Sequence, residues 1–137
     1  MGYGLLSQGL YRKIMVRKLY TIVLWFQGLY TVITALWALL HIESFMDVTG
    51  PKTDTWLVKT VSFILLSIGI GMIAEAISRT LALPLLLLFL LNAIALAGID
   101  FYYATNNVIW NVYLLDGIEQ IIFISFLVFF LSRPKHR

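Results

Sequence analysis

The sequence has no cysteine, only two histidines and few charged residues. Without cysteine there can be no disulfide bonds, no thiolate metal sites and no thiol redox chemistry. The two histidines, His41 and His136, are too few for an ordinary haem or metal cluster, so we expect neither a metal nor a cofactor. Charged residues make up only 12% of the 137 residues, which is too few to cover the surface of a soluble domain of this size.

Long apolar runs account for most of the chain, and 61% of its residues are hydrophobic. Each run has about twenty residues, the length at which a helix spans roughly 30 Å of hydrocarbon. The runs are too long for barrel strands and lack their alternating pattern. The sequence therefore predicts an all-α membrane protein, a single domain over residues 1–137 with four antiparallel transmembrane helices at 19–41, 56–77, 81–103 and 108–131.

Two features refine this prediction. The short connection from Ser78 to Thr80 predicts that the second and third spans are antiparallel neighbours. Residues 1–18 are expected to form an amphipathic lead-in, with Leu6, Leu10 and Ile14 on one face and basic side chains that reach lipid headgroups. A plain extension of the first helix fits these residues equally well.

Basic residues gather on one side of the predicted spans. Eight would share the side of the N-terminus, namely Arg12, Lys13, Arg17, Lys18, Arg79, Arg133, Lys135 and Arg137, and only Lys52 and Lys59 would lie opposite. Basic residues favour the cytoplasmic side, so we expect a multi-pass cell-membrane protein, in a bacterial inner membrane, with both termini cytoplasmic. The net charge of +3 comes largely from the termini and indicates orientation, not nucleic-acid binding.

An acidic residue, Glu119, lies deep within the fourth span, about 18 Å from its inner end. An ionised side chain there costs several kcal/mol unless it faces the bundle interior and finds a partner. Tyr113, Asp116, Gln120 and Phe123 fall on the same third of the helix. The fourth span therefore has a polar stripe that runs from its outer end to mid-membrane.

The other predicted helices have polar residues that can face this stripe. The first span has a stripe at Gln27, Thr31, Thr34, Ala38 and His41, the second has Lys59 and Ser62, and the third has Asn92 and Asp100. If these faces converge, they line an acidic cavity that opens to the outer side, with Lys59 as the partner of an acid. The predicted ligand-binding residues are Asp116, Glu119, Lys59, Asp100, Tyr113, Gln120, His41, Asn92 and Asp54.

Several polar residues have simpler structural interpretations, because hydrogen bonds often join helices in membrane bundles. Asn92 and Gln27 are better explained in this way than as ligand contacts. Glu75 can pair with Arg79 one turn later. A ridge of Ser67, Gly71 and Glu75 is predicted to pack closely against a neighbouring helix.

The one long connection, residues 42–55, contains the turn signal Gly50-Pro51. Thr53, Asp54 or Thr55 is expected to cap the second span through its side-chain oxygen. Phe45 and Met46 are apolar enough to fold back over the bundle mouth. The connection is therefore either a lid or, more simply, a capped loop.

Phe45, the stretch Val48–Val58 (VTGPKTDTWLV) and Thr60-Val61 resemble a motif of small, uncharacterised bacterial four-helix membrane proteins. Asp100 and Tyr113-Leu114-Leu115-Asp116 fit the same resemblance, which implies a class and no mechanism. More distantly, the architecture is similar to DoxX-like and emopamil-binding proteins, whose intramembrane acids imply a cavity for sterol-like or amine-bearing lipophiles. Here the deep acid lies on the fourth span, so no catalytic roles are carried over.

The leading hypothesis is a membrane protein that binds a small lipophilic or amphipathic ligand, anchored by Asp116 and Glu119. Three alternatives remain open: an accessory or assembly subunit of a membrane complex, an isomerase or hydrolase that uses the carboxyl pair, and a proton-linked transporter with Glu119 as carrier. Membrane lipid is the expected surrounding partner, and a homo-oligomer or a larger complex fits the sequence equally well.

Overall fold

The computed structural model describes residues 2–132, with side chains from residue 8 onward. It contains five helices, α1 (Gly2–Leu40), α2 (Ile42–Thr49), α3 (Thr55–Ser78), α4 (Leu83–Thr105) and α5 (Val112–Leu131), and no strand within that range. All but α2 are long and apolar enough to cross a membrane. The prediction of an all-α protein with four candidate membrane spans is confirmed. His136 and the basic residues Arg133, Lys135 and Arg137 lie outside the described residues, as does the side chain of Leu6.

Helix α1 is a single helix of 39 residues, about 58 Å long at 1.5 Å per residue. It runs from Gly2 to Leu40 without a break, so residues 2–18 extend the first span and do not form a separate lead-in. Leu10 and Ile14, predicted to share an apolar face, are both exposed. The second of the two interpretations, an extended first helix, describes this end of the chain.

The connection after α1 is more ordered than predicted, because most of it forms α2. Asp54 occupies the N-cap position of α3, but its side chain makes no capping hydrogen bond. The backbone carbonyl of Asp54 accepts instead from the amides of Leu57 at 3.0 Å and Val58 at 3.3 Å. The predicted side-chain cap at Asp54 is therefore wrong. The first hydrogen bonds of α3 are accepted by the backbone carbonyl of Asp54 and not by its side chain.

The last two spans are shifted from their predicted bounds by local backbone chemistry. Pro84 lies in the first turn of α4, where its missing N–H and fixed φ are tolerated, and Leu81 just before it has φ 53°. Asn107, a residue that accepts the left-handed region, has φ 57°. The turn around it delays α5 to Val112, four residues later than predicted.

The helices pack as two pairs, α1 along α3 and α4 along α5, while α3 and α4 touch sparsely. The short connection between α3 and α4 sets their antiparallel direction but not their packing partners. A close approach at Gly28 and Gly69 explains the first pair. A Cβ atom on Gly69 would lie 2.8 Å from Val32 Cγ2 and 3.1 Å from the Gly28 carbonyl oxygen, so only glycine fits there. Of the predicted ridge of Ser67, Gly71 and Glu75, Glu75 is buried and Gly71 lies beside Phe89 of α4, but Ser67 is exposed and does not belong to the packed face.

The two pairs meet through an apolar core in the half of the bundle that contains the α3–α4 turn. Its largest fully buried side chains are Tyr20, Phe89, Leu24, Met72 and Leu127. The ring of Tyr20 also meets Phe130 edge-on, with 5.2 Å between ring centroids. This core fixes the relative positions of all four long helices and leaves the other half of the bundle to polar side chains.

Glu75, only 2% exposed, joins α3, the following turn and α1. Its carboxylate accepts from the Tyr20 hydroxyl at 3.0 Å, the Thr80 hydroxyl at 2.6 Å and the Ala82 amide at 3.2 Å. The predicted pairing with Arg79 is wrong. In the described part of the chain the Arg79 side chain is exposed, and it is not among the groups that contact Glu75.

Candidate functional site

Two acids on α5 point toward α1, each with a neutral hydrogen-bond donor. The Tyr30 hydroxyl donates to Asp116 Oδ1 at 2.5 Å. The side-chain amide of Gln27 donates to Glu119 Oε2 at 3.3 Å. Asp116 and Glu119 are both half-buried. These two bonds are the main polar link between α1 and α5.

Asp100 on α4 brings a third carboxyl group to the same place. It is 4% exposed and lies close enough to Asp116 for the two carboxyl groups to interact electrostatically. Gly117 makes this approach possible, because a Cβ atom there would lie 3.4 Å from Asp100 Cβ and 3.1 Å from the Phe101 ring. Two ionised carboxylates have no hydrogen to donate to each other, so neighbouring carboxylates repel unless a proton or a cation lies between them.

The three carboxyl groups of Asp100, Asp116 and Glu119 are here called the acid cluster. Within residues 8–132, Asp100 Oδ2 is a buried side-chain oxygen without a hydrogen-bond partner. Gln120, one turn after Asp116, is 3% exposed, and its amide has no hydrogen bond to the described residues. The cluster therefore has more hydrogen-bonding capacity than its neighbours satisfy.

The predicted basic partner of these acids is elsewhere. Lys59 is exposed near the start of α3, and no ion pair joins it to an acid within the described residues. The physical reason is the pairing of the helices: α3 packs on α1 and has no extensive contact with α5. The donors that do reach the acids, from Tyr30 and Gln27, are neutral.

Three other predicted residues lie away from the cluster. His41 is exposed at the junction of α1 and α2, and Asp54 is exposed before α3. Asn92 is half-buried on α4 and makes no side-chain hydrogen bond to the described residues. Of the nine predicted ligand-binding residues, the structure brings together Asp100, Tyr113, Asp116, Glu119 and Gln120.

Tyr113 connects the acid cluster to the segment after α2. Its side chain is in polar contact with Thr49 and interacts electrostatically with Asp100 and Asp116. The ammonium of Lys52 lies 5.2 Å from the centroid of the Tyr113 ring and donates to the Thr49 carbonyl at 2.8 Å. Burial lowers the pKa of Lys52 from its ordinary value of 10.5. The Lys52 side chain is thus held at this turn by its contacts with the Thr49 carbonyl and the Tyr113 ring.

Helix α2 is held against both α1 and α5. Gly50, with φ 90°, lies so close to the Trp110 indole that a Cβ atom would be 2.8 Å from the ring. On the α1 side, the Trp37 ring meets Phe45 edge-on at 5.5 Å, and its N–H donates to Ser44 at 2.8 Å. Phe45 is buried, as expected for a residue that folds back over the bundle.

Two surface depressions in the described part of the chain lie away from the acid cluster. One, of about 400 Å³, is lined by Glu43, Met46, Asp47, Pro51 and Trp110. The other, also about 400 Å³, lies on the exposed part of α1 at Gln8, Tyr11, Arg12 and Met15. Between α1 and α5 the space beside the acids is occupied by the Tyr30 and Gln27 side chains.

Comparison with known proteins found no matching family, no matching curated protein and no matching solved structure. The resemblance to small bacterial four-helix membrane proteins therefore stays a prediction, and the chemistry of the site rests on its own side chains. Within residues 2–132, no group of three or more His, Asp or Glu residues is arranged to hold a metal ion.

Two residues that contact the predicted site, Tyr30 and Thr49, are not among the predicted ligand-binding residues. Tyr30 lies three residues after Gln27, so both share one face of α1, and this spacing was the available signal. Its ring is 40% exposed, which is typical of a lipid-facing aromatic, and this explains why its hydroxyl was not assigned. Thr49 was hidden in a segment predicted as a loop.

Proposed function

We propose that this chain is an integral membrane protein that binds a small amphipathic ligand through a cationic group. The acid cluster between α1 and α5 is the anchor. The observation that carries the proposal is the convergence of Asp100, Asp116 and Glu119 inside the candidate spans with only neutral donors around them.

The hydrogen-bond donors that reach Asp116 and Glu119 are neutral, so they do not compensate the negative charge of an ionised carboxylate. Carboxylates within the hydrocarbon region are costly unless a proton or a cation neutralises them. Tyr30 and Gln27 supply hydrogen bonds but no charge. A cationic ligand supplies both, because an ammonium group donates to carboxylate oxygens while cancelling their charge.

The surroundings of the cluster suit a ligand with an apolar tail. Phe26, one turn before Tyr30 on α1, is exposed, and so are Ile118 and Ile122 on α5. The contact between α1 and α5 is sparse, so the acids are approached from the side of the bundle. A tail that lies along these apolar side chains would remain in the lipid region while the cationic group meets Asp116.

The test compares dodecylamine, which is protonated at neutral pH, with the uncharged dodecanol. Binding is measured to the full chain in phosphatidylcholine nanodiscs, and binding to empty discs is subtracted. We expect the amine to bind at least about tenfold more tightly than the alcohol, and Glu119→Gln or Asp116→Asn to remove about tenfold of the amine affinity. Glu43→Gln, an exposed acid outside the long helices, is the matched control. Equal binding of amine and alcohol, or of wild type and Glu119→Gln, would contradict the proposal.

Proton-linked transport is a second candidate, favoured by the contact between Asp100 and Asp116. Two neighbouring carboxyl groups can share a proton between them, which is the arrangement a proton carrier needs. Proton flux into liposomes that contain the full chain tests this candidate. Flux that Asp100→Asn abolishes supports transport, whereas flux equal to that of empty liposomes rejects it.

We also propose that the protein is a multi-pass protein of a bacterial inner membrane with both termini in the cytoplasm. The support is electrostatic: the basic residues Arg12, Lys13, Arg17, Lys18 and Arg79 gather at the end of the bundle where α1 begins and α3 ends. The positive-inside rule assigns that end to the cytoplasm. Fluorescence of a C-terminal green fluorescent protein fusion, with an inactive C-terminal alkaline phosphatase fusion, is the expected result.

A further inference from the structure

We infer that the cationic group of the ligand carries N–H donors, so that a protonated primary amine is preferred over a quaternary ammonium. This inference rests on the proposed function and specifies its ligand. The structural basis is the unequal supply of donors and acceptors in the acid cluster, together with the absence of a free aromatic cage among the described residues.

Asp100 has an unsatisfied acceptor. Its carboxyl group is 4% exposed, and its Oδ2 has no hydrogen-bond partner in residues 8–132. Buried polar atoms in native proteins are nearly always hydrogen-bonded, so an unpaired buried oxygen needs an explanation. A carboxyl oxygen in this position is an acceptor that requires a donor.

The other two acids of the cluster receive fewer donors than they can accept. A carboxylate has about four lone-pair sites, yet Asp116 receives the Tyr30 hydroxyl and Glu119 receives the Gln27 amide. A primary ammonium has three N–H donors, whereas a quaternary ammonium has none and holds its charge away from the oxygens by its methyl groups.

A protein can also bind a cation through the faces of aromatic rings. Quaternary ammonium groups are typically held by cages of aromatic rings. Three rings stand near the acid cluster, those of Tyr30, Phe101 and Tyr113. Tyr113 already has the Lys52 ammonium over its ring, and Phe101 packs against Gly117. Tyr30 directs its hydroxyl, not its face, at Asp116. The site is therefore built for hydrogen-bond donors.

A primary ammonium on an apolar tail has two sources in a membrane: a free long-chain amine and the headgroup of phosphatidylethanolamine. The experiment measures binding of dodecylamine, N,N-dimethyldodecylamine and dodecyltrimethylammonium to the full chain in phosphatidylcholine discs. We expect affinity to fall in that order, by roughly tenfold from the primary to the quaternary compound. Replacing the disc lipid by phosphatidylethanolamine weakens dodecylamine binding if the headgroup is the ligand, and leaves it unchanged if a free amine is.

Asp100→Val removes the unpaired oxygen, and we expect its ratio of primary to quaternary affinity to fall by a few-fold, with the remaining preference due to Asp116 and Glu119. The ratio on the wild-type chain decides the inference even if this variant does not fold. Equal affinity for the primary and quaternary compounds, with both lost in Glu119→Gln, overturns the donor requirement and leaves the proposed function in place. Failure of all three compounds to bind overturns both.

Discussion

The carboxylate of Glu75 is the clearest test of how the two helix pairs are held together. It receives donors from separate parts of the chain, namely the Tyr20 hydroxyl on α1, the Ser78 hydroxyl at the end of α3, the Thr80 hydroxyl in the turn and the Ala82 amide before α4. Glu75→Met keeps a similar volume and removes every acceptor. Glu75→Gln keeps one carbonyl oxygen and is the milder change.

The magnitude follows from which donors are stranded. In Glu75→Met, the hydroxyl of the buried Tyr20 and the amide of the half-buried Ala82 lose their partner. A buried unpaired donor costs about 1–3 kcal/mol, and the half-buried amide falls at the low end of that range. The Thr80 hydroxyl is exposed and can turn to water. Removing the carboxylate also removes its own desolvation cost, so we expect a net loss of about 2–4 kcal/mol for Met and about 1 kcal/mol for Gln.

The free energy of unfolding is measured by far-UV circular dichroism in mixed detergent micelles as the fraction of denaturing detergent is raised. Tyr20→Phe completes a double-mutant cycle, and we expect a coupling of about 1 kcal/mol with Glu75. Glu43→Gln, an exposed acid, is expected to change stability by less than about 0.5 kcal/mol. The reasoning is refuted if Glu75→Met stays within that same margin, or if the cycle shows no coupling.

Three further predictions concern the packing of glycines and the state of one lysine. Gly69→Ala is expected to cost about 1–3 kcal/mol because its Cβ has no room at the helix crossing, whereas Gly98→Ala, with no atom within 4 Å, is expected to be neutral or stabilising in the same unfolding assay. Gly50→Ala combines a strained φ of 90° with a clash against the Trp110 ring, so we expect faster proteolysis between α2 and α3 and altered tryptophan fluorescence, and unchanged values would contradict this. Because burial lowers the folded-state pKa of Lys52, the unfolded chain binds more protons between that lowered pKa and 10.5, and the melting temperature should rise with pH through this window. Lys52→Met is expected to abolish that rise, and a rise that persists in the variant assigns it to another group.

The long helices could be predicted because lipid leaves the backbone no alternative to internal hydrogen bonding. Their ends were less accurate, since single residues decide them. Asn107 accepts a positive φ and delays α5, and Leu81 does so before α4. Neither residue is glycine, the residue type that most readily adopts a positive φ and therefore indicates such a position in a sequence.

The pairing of helices could not be read from the connections. A connection of a few residues fixes the direction of α4 relative to α3, but the choice of partner depends on shape at one crossing. Gly69 and Gly71 are both glycines of α3, and the sequence does not distinguish them. Only Gly69 faces α1, where a Cβ atom would clash. The two glycines are two residues apart, about 200° around the helix axis, and the rotation of α3 that directs one of them at α1 depends on the whole interface.

The acids of the site followed from a simple argument, that charge in lipid turns inward, and Asp100, Asp116 and Glu119 do meet. Their partner did not follow, because opposite charge is the usual expectation and Lys59 was the basic residue within a predicted span. The structure places neutral donors there instead. A tyrosine hydroxyl on a lipid-exposed ring, as at Tyr30, has no charge pattern that would reveal it.

Helix α1 is unbroken from Gly2 to Leu40, so a change in its tilt is shared along its whole length. Gln8 lies about 30 Å along the axis from Gly28, where α1 crosses α3 closely, and the backbone of Tyr30 lies about 3 Å from Gly28 in the other direction. A tilt of about 10° at Gly28 would require Tyr20 and Leu24 to repack in the core, and it would move Gln8 by about 5 Å and the Tyr30 hydroxyl by about 1 Å. A spin label at Gln8 would therefore magnify a rearrangement at the carboxyl groups that is otherwise too small to detect.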